Sequence, residues 1–168
     1  YLKEEVDGNV TTIENVVVRK KSDGMAWGAV YAQYLEQMDK VETFSNTLSV
    51  SRTLLKHGAV VSPDALKVGD RITVRLTISV DRDMDFVQIK DERAACMEPV
   101  DVLSSYCWRN GVGYYQVTKD ASTYFYFDQL RKGKHVLEYD TFIMAEGEYL
   151  QGIVSAQSVY APEFGGHS

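Results

Sequence analysis

The segment RITVRLTISV (71–80) limits the possible fold more than any other part of this 168-residue chain. Its apolar side chains fall at every second position, which is typical of a strand with one buried face. A helix would need apolar side chains three or four positions apart. The segment therefore predicts a half-buried β-strand, which must lie in a sheet whose apolar face is covered by another layer.

Eight other segments are rich in β-branched and aromatic residues and are bounded by turn-forming residues. Short polar segments such as SDG, RNGVG, RKGK and AEGE separate them. These spacings predict an all-β, antiparallel β-sandwich of about seven to nine strands. The predicted strands cover residues 14–20, 26–35, 47–55, 71–80, 85–91, 112–118, 122–130, 134–145 and 148–160.

The domain organisation has one open point, which concerns the first 45 residues. We expect residues 46–168 to form the sandwich. Residues 1–45 either supply edge strands to the sandwich or form the tail of a preceding domain. Because the chain begins at Tyr1 without a methionine or a leader, we expect it to be a segment of a longer protein.

The composition argues against several classes of function. A net charge of −6 argues against a nucleic-acid partner, which would need a basic surface. No apolar run is long enough for direct membrane insertion. The three histidines are far apart in sequence, and no nucleophile or cofactor motif accompanies them. We therefore predict no enzyme activity, no catalytic residue and no cofactor.

The segment DRDMDFVQIKDE (81–92) resembles a calcium loop only in its acidic spacing. Phe86 occupies the position at which such a loop needs glycine for its sharp turn. We interpret the segment as a polar turn followed by a strand whose Phe86, Val87 and Ile89 pack inward, and predict no metal site. The acidic residues at the ligand spacing are Asp81, Asp83, Asp85 and Glu92.

Aromatic residues are frequent, with eleven Tyr, six Phe and two Trp. In the run 124–127, neighbouring side chains point to opposite faces of a sheet, so two of the four should be in the core and two outside. An exposed aromatic face would suit a protein or carbohydrate partner, whereas the other interpretation is aromatics that close the ends of the core. The candidates for such a face are Trp108, Tyr114, Tyr124 and Tyr126.

The end of the chain, AQSVYAPEFGGHS, carries a strand pattern up to Tyr160. Pro162 has no backbone N–H, so the strand cannot continue within a sheet beyond it. We expect Tyr160 to stand at the end of the last strand.

Three segments together resemble the C-terminal domain of bacterial alpha-2-macroglobulins, particularly those of Bacteroidetes. They are LSVSRTLL (48–55), LKVGDRITVRLTISVDRDMDFVQIKD (66–91) and residues 124–164. The last of these contains the family's hairpin motif and its aromatic-proline-glutamate ending. WGAVYAQY (27–34) also resembles the family's strand after the helical domain. The resemblance covers about residues 14 to 168, and the motif residues are Phe127, Leu130, Gly133, Tyr139, Tyr160, Pro162 and Glu163.

The resemblance implies a macroglobulin or immunoglobulin-like sandwich in an envelope protein, periplasmic or surface-exposed, that traps proteases. Its partners would be the other domains of the same polypeptide and, through them, target proteases. The domain would dock on a helical domain and shield its thioester, with Tyr160 as the shielding residue beside Val159, Pro162 and Glu163. Val159 stands where the family often has methionine.

The two cysteines leave their pairing open, because Cys96 and Cys107 could form a bridge or remain separate thiols. The segment CMEP (96–99) is close to the Cys-x-Glu-Gln sequence of thioester proteins. Pro99 has no side-chain carbonyl, so Cys96 cannot form that thioester.

Overall fold

A computed structural model describes residues 17–28, 35, 37 and 40–168. The chain divides into two units, residues 1–37 and residues 38–168. In the first unit, the described residues form no helix or strand. The predicted strand at 14–20 is therefore wrong for residues 17–20, and the one at 26–35 is wrong for residues 26–28 and 35; their remainder lies outside the described residues. The two interpretations of residues 1–45 stay a prediction.

The described part of the second unit contains twelve strands and a 3₁₀ turn at Pro63–Ala65. Six of the predicted strands, at 47–55, 71–80, 85–91, 112–118, 122–130 and 134–145, are confirmed within two residues at either end. The strands are β1 (Phe44–Asn46), β2 (Leu48–Lys56), β3 (Ala59–Val60), β4 (Arg71–Val80), β5 (Met84–Glu92), β6 (Met97–Pro99), β7 (Ser105–Arg109), β8 (Val112–Thr118), β9 (Ser122–Leu130), β10 (Gly133–Ile143), β11 (Val154–Ser158) and β12 (Gly165–His167).

The strands pair antiparallel in the order β6-β10-β4-β2-β1-β12-β11-β5-β9-β8-β7, with β3 beside β2. The two halves of this path form the two layers of a sandwich, and β1 and β12 join them. The predicted all-β antiparallel sandwich is confirmed. The strand count exceeds the predicted range because β1, β3, β6 and β12 have only two or three residues each.

The core lies between the layers and follows the alternation seen in the sequence. Ile72, Val74, Leu76 and Ile78 of β4 are at most 1% exposed. In β9 the division of the aromatic run is confirmed, since Phe125 and Phe127 are buried and the two tyrosines between and before them lie on the outer face. The sandwich therefore has one layer whose core side chains are mainly aliphatic, with Tyr139 of β10 as an exception, and a second layer with aromatic side chains on both faces.

The end of the chain differs from the prediction. The strand predicted at 148–160 covers only Val154–Ser158, and a further strand, β12, follows the proline. Gly165 and Gly166, which follow the proline in the sequence, belong to β12. A Cβ on Gly166 would clash with the Leu48 carbonyl oxygen and lie 2.9 Å from that of Phe44. Because these glycines have no side chain, β12 can pass close to the other layer and join the two.

Candidate functional site

The β11–β12 turn carries Tyr160 beyond the end of β11 and not within a strand. The Ser158 N–H donates to the Phe164 carbonyl at 3.0 Å, and the Phe164 N–H donates to the Ala161 carbonyl at 2.9 Å. This second bond closes a four-residue turn in which Pro162 occupies the second position, where its fixed φ is favoured. Pro162 thus reverses the chain, so that it returns into the sheet as β12.

Two contacts fix this turn to neighbouring elements. The Asn46 side-chain amide of β1 donates to the Glu163 carbonyl at 3.3 Å. The Arg82 guanidinium, from the β4–β5 turn, lies 5.4 Å from the centre of the Phe164 ring, in range for a cation–π contact. The backbone that carries Tyr160 is therefore held from two sides.

Three apolar side chains form an exposed patch at this end of the sandwich. Tyr160 is 78% exposed, Phe86 47% and Val159 46%. The rings of Phe86 and Tyr160 meet edge to face, with centroids 5.0 Å apart and planes at 89°. We call Phe86, Val159 and Tyr160 the Phe86–Tyr160 patch.

Phe86 belongs to this patch because its backbone is left-handed, with φ 52°. The prediction that Phe86 packs inward with Val87 and Ile89 is wrong for Phe86, although both other side chains are buried. Adjacent residues of a regular strand cannot both face inward. Since Val87 takes the inward position, Phe86 turns outward beside Asp85.

Several acidic residues lie close to the patch in the sequence. Asp81, Asp83, Asp85 and Glu163 are all exposed and lie within a few residues of Phe86 or Tyr160. Asp81 pairs with Arg82 at 3.1 Å, and Asp83 accepts a hydrogen bond from the Lys132 N–H at 2.7 Å. Among the described residues, no three His, Cys, Asp or Glu side chains are placed to share a metal ion. The patch is thus an exposed apolar surface whose sequence neighbours are exposed and charged, a combination that protein-binding surfaces share.

A second aromatic surface covers the outer face of β7, β8 and β9. Trp108 is 69% exposed, Tyr106 62% and Tyr115 45%. Tyr124 and Tyr126 lie on the same face of β9, with parallel rings 6.1 Å apart. We call these five side chains the aromatic face.

The candidate Tyr114 is not part of the aromatic face. It is 1% exposed and packs against Phe125 and Phe127, with ring centroids 5.8 and 5.7 Å apart. Tyr114 points into the core because it neighbours the outward-facing Tyr115 in the same strand. Sequence reasoning missed Tyr106 and Tyr115, although the alternation in VGYYQVT left either tyrosine as the outward one.

Gly113 allows the aromatic face to close over β8. A Cβ there would clash with the Tyr106 hydroxyl and lie 2.8 Å from the Trp108 ring. The Lys119 ammonium lies 4.9 Å from the centre of the Tyr124 ring at the other end of the face. Because Tyr106 pairs with Tyr115 and Tyr115 pairs with Tyr126 in the register of these strands, the aromatic face extends across all three.

A buried polar cluster links the two layers at the opposite end of β5 from Phe86. Asp91 is fully buried and bonds with the Arg52 guanidinium of β2, and the Tyr139 hydroxyl of β10 donates to it at 2.7 Å. Arg52 also donates to the Glu92 carbonyl at 2.9 Å and to the Gly152 carbonyl. These bonds connect strands of the two layers across the core.

Burial dominates the titration of this cluster. It raises the pKa of Asp91, against the opposing effects of the Arg52 guanidinium and the Tyr139 hydroxyl. Burial and the neighbouring Asp91 together raise the pKa of Tyr139 far above its ordinary value. Such shifts also occur at catalytic sites, but this cluster lies inside the core between the layers. The cluster therefore has a structural role. A small cavity of about 170 Å³ lies away from the cluster, beside Asn110 and His135.

Cys96 and Cys107 are free thiols, which settles their pairing. Cys96 lies in the turn before β6, and Cys107 lies in β7. In the part of the chain that the structure describes, no helix is long and apolar enough to cross a lipid bilayer.

The family model of the bacterial alpha-2-macroglobulin MG10 domain matches residues 47–163, which is more than half of the chain. A search of curated proteins found no match. The matched residues include the Phe86–Tyr160 patch and the aromatic face.

Solved structures of bacterial alpha-2-macroglobulins share the fold. Salmonella alpha-2-macroglobulin reacted with methylamine is 19% identical with a TM-score of 0.65, and the match covers 76% of this chain and 9% of that one. Escherichia coli alpha-2-macroglobulin activated by porcine elastase is 18% identical with a TM-score of 0.66, over 74% and 12%. A native Escherichia coli structure from domain MG7 to the C-terminus is 17% identical with a TM-score of 0.64, over 74% and 22%. The chain thus spans a small part of the length of these proteins.

Proposed function

Because the chain belongs to the family of bacterial alpha-2-macroglobulin MG10 domains, we propose that it is a non-catalytic docking domain of a longer, protease-trapping protein. Its partner in this proposal is the helical domain of the same polypeptide. Target proteases meet the longer protein, and the trapping chemistry lies outside this chain. We also propose that the longer protein belongs to the cell envelope of a Bacteroidetes-type bacterium, periplasmic or surface-exposed, with this domain at its C-terminal end.

The observation that carries the proposal is the exposure of the Phe86–Tyr160 patch on a fixed turn. A 78% exposed tyrosine held by a neighbouring ring loses little conformational freedom when a partner covers it. The exposed acidic residues that neighbour the patch in the sequence would remain near water, and an apolar centre with polar surroundings is the common arrangement of docking surfaces. Tyr160 and Val159 would make the contact, while Pro162 and Glu163 form the turn that presents them.

Where the helical domain carries a thioester, the proposed role of Tyr160 is to shield it. An aromatic ring over a reactive bond excludes water, and its hydroxyl can form a hydrogen bond at the rim. This role follows from the resemblance of the chain's ending to that of the family. The shielding role applies only to parent proteins that carry the thioester, whereas the docking role applies to parent proteins with or without it.

The test of docking is calorimetric titration of this chain into the helical domain of its parent polypeptide. Tyr160→Ala should weaken binding at least about fivefold, because a central interface tyrosine commonly contributes more than about 1 kcal/mol. The matched control is Tyr106→Ala, a tyrosine of similar exposure on β7, which three strands separate from β11. Absence of binding by the unmodified chain, or equal losses in both variants, would contradict the proposal.

The aromatic face favours a second candidate function, binding of a carbohydrate or of another protein. Trp108, Tyr106 and Tyr115 present exposed rings side by side, and an exposed patch of this kind is typical of a binding surface. Affinity electrophoresis in gels that contain cell-envelope polysaccharides tests the carbohydrate alternative. Retardation that Trp108→Ala abolishes and Tyr160→Ala leaves unchanged would support it.

A further inference from the structure

Phe86 has an unusual backbone conformation for its residue type. Its φ of 52° lies in the left-handed region, which a bulky aromatic residue rarely adopts. The three other non-glycine residues with positive φ in the described part of the chain, Thr47, His57 and Asn110, lie in turns or at their edges, whereas Phe86 lies within β5. A glycine or asparagine would adopt this conformation at lower cost. The backbone therefore gives no reason for a phenylalanine here.

The neighbouring strand shows what the conformation does to the sheet. In β5, Asp85 and Phe86 are both exposed between the buried Met84 and Val87. In the paired strand β9, Asp128 and Gln129 are likewise both exposed. The pairing of the two strands is interrupted at Phe86 and resumes in the same register at Val87. The irregularity directs residue 86 to the outside, a known effect of local distortions in strands. It requires an outward residue at position 86 but not an aromatic one.

The aromatic side chain is explained by its contact with Tyr160. The two rings meet edge to face at 5.0 Å, a favourable geometry for aromatic pairs. The Phe86 carbonyl also accepts a hydrogen bond from the Val159 N–H at 2.8 Å. Phe86 thus contacts both the start of the β11–β12 turn, through its backbone carbonyl, and the exposed ring of Tyr160, through its side chain.

We propose that Phe86 is the positioning residue for Tyr160: it orients the exposed ring for docking at the expense of backbone strain. Strained residues that persist in a fold often belong to sites where the conformation has a use. A fixed ring loses less conformational freedom on docking than a mobile one, which strengthens binding. This inference rests on the proposed docking function.

The test uses Phe86→Asn, because asparagine tolerates the left-handed conformation and retains the backbone hydrogen bond. We expect the affinity for the parent's helical domain to fall about 2- to 10-fold, which corresponds to the loss of one edge-to-face pair. We expect stability to urea to change little, since the relief of strain offsets the loss of a half-exposed ring. In the Tyr160→Ala background, Phe86→Asn should have no further effect on affinity, because the ring that it positions is gone.

An independent readout follows the Tyr160 ring itself. With 3-fluorotyrosine placed at position 160, the ¹⁹F resonance should move toward that of free fluorotyrosine and sharpen in Phe86→Asn. An unchanged ¹⁹F resonance, or an unchanged affinity where Tyr160→Ala weakens binding, would overturn the positioning role. If the unmodified chain does not bind, the docking function fails, while the ¹⁹F comparison still decides whether Phe86 orients Tyr160.

Discussion

Replacing Arg52 with methionine should destabilise the chain more than any change of an exposed charge. The substitution keeps a long apolar stem but leaves the Asp91 carboxylate, which has no solvent exposure, without its ion-pair partner. Removing one partner of a buried ion pair costs about 3–5 kcal/mol, because the remaining charge stays buried. The Glu92 and Gly152 carbonyls also lose their donor.

The measurement is urea unfolding, with the free energy of unfolding taken at constant slope. The matched control is Arg75→Met, because Arg75 pairs with Glu138 at 2.6 Å but both side chains are about 40% exposed. That change should cost less than about 1 kcal/mol. The contrast between the two variants isolates the effect of burial.

A second substitution tests the mechanism. Asp91→Asn removes the buried charge and retains an acceptor for the Tyr139 hydroxyl. Arg52→Met combined with Asp91→Asn should therefore be more stable than Arg52→Met alone, by at least about 1 kcal/mol, since the two residues are directly coupled. If Arg52→Met costs no more than Arg75→Met, or if the double variant is the less stable one, the uncompensated charge is not the cause.

Three further outcomes are expected. Partial burial would raise the pKa of Asp140, but hydrogen bonds from Thr73 and Arg71 lower this pKa overall. The ionised Asp140 therefore stabilises the fold above about pH 4, and this stabilisation is lost at lower pH as the carboxylate protonates. Asp140→Asn should therefore be less stable than the unmodified chain at pH 7, and urea unfolding should show the difference vanish at low pH; a constant difference would contradict this. Gly166→Ala should lower the urea midpoint by disrupting β12, because the new Cβ would clash with the Leu48 carbonyl. The comparison is Gly58→Ala, because Gly58 has open space around it and a positive φ. That change should cost only the backbone strain of the positive φ, on the order of 1 kcal/mol. The chain alone should inhibit no protease at micromolar concentration in a peptide-cleavage assay, and inhibition would place trapping chemistry within it.

The candidate site was only partly predictable. Tyr160 and Pro162 could be identified because the strand pattern reaches Tyr160 and the proline two residues later cannot continue a strand, and both lie in the turn that presents the patch. Phe86 was assigned to the core, since the alternation rule contains no signal for a left-handed residue. Arg52, whose side chain is 12% exposed, could have been identified from the sequence, because it occupies an inward position in the series Leu48, Val50, Leu54.

The sequence by itself determined the long strands and their inward faces. The alternation in β4, β9 and β10 depends only on the two-residue period of an extended chain, so it can be read without knowing the partners. Only the tertiary structure decided the short strands, since two or three residues carry no period and become strands by pairing with a neighbour. It also decided that β12 joins the layers and that Phe86 meets Tyr160, because both depend on residues about 75 to 120 positions apart in the chain.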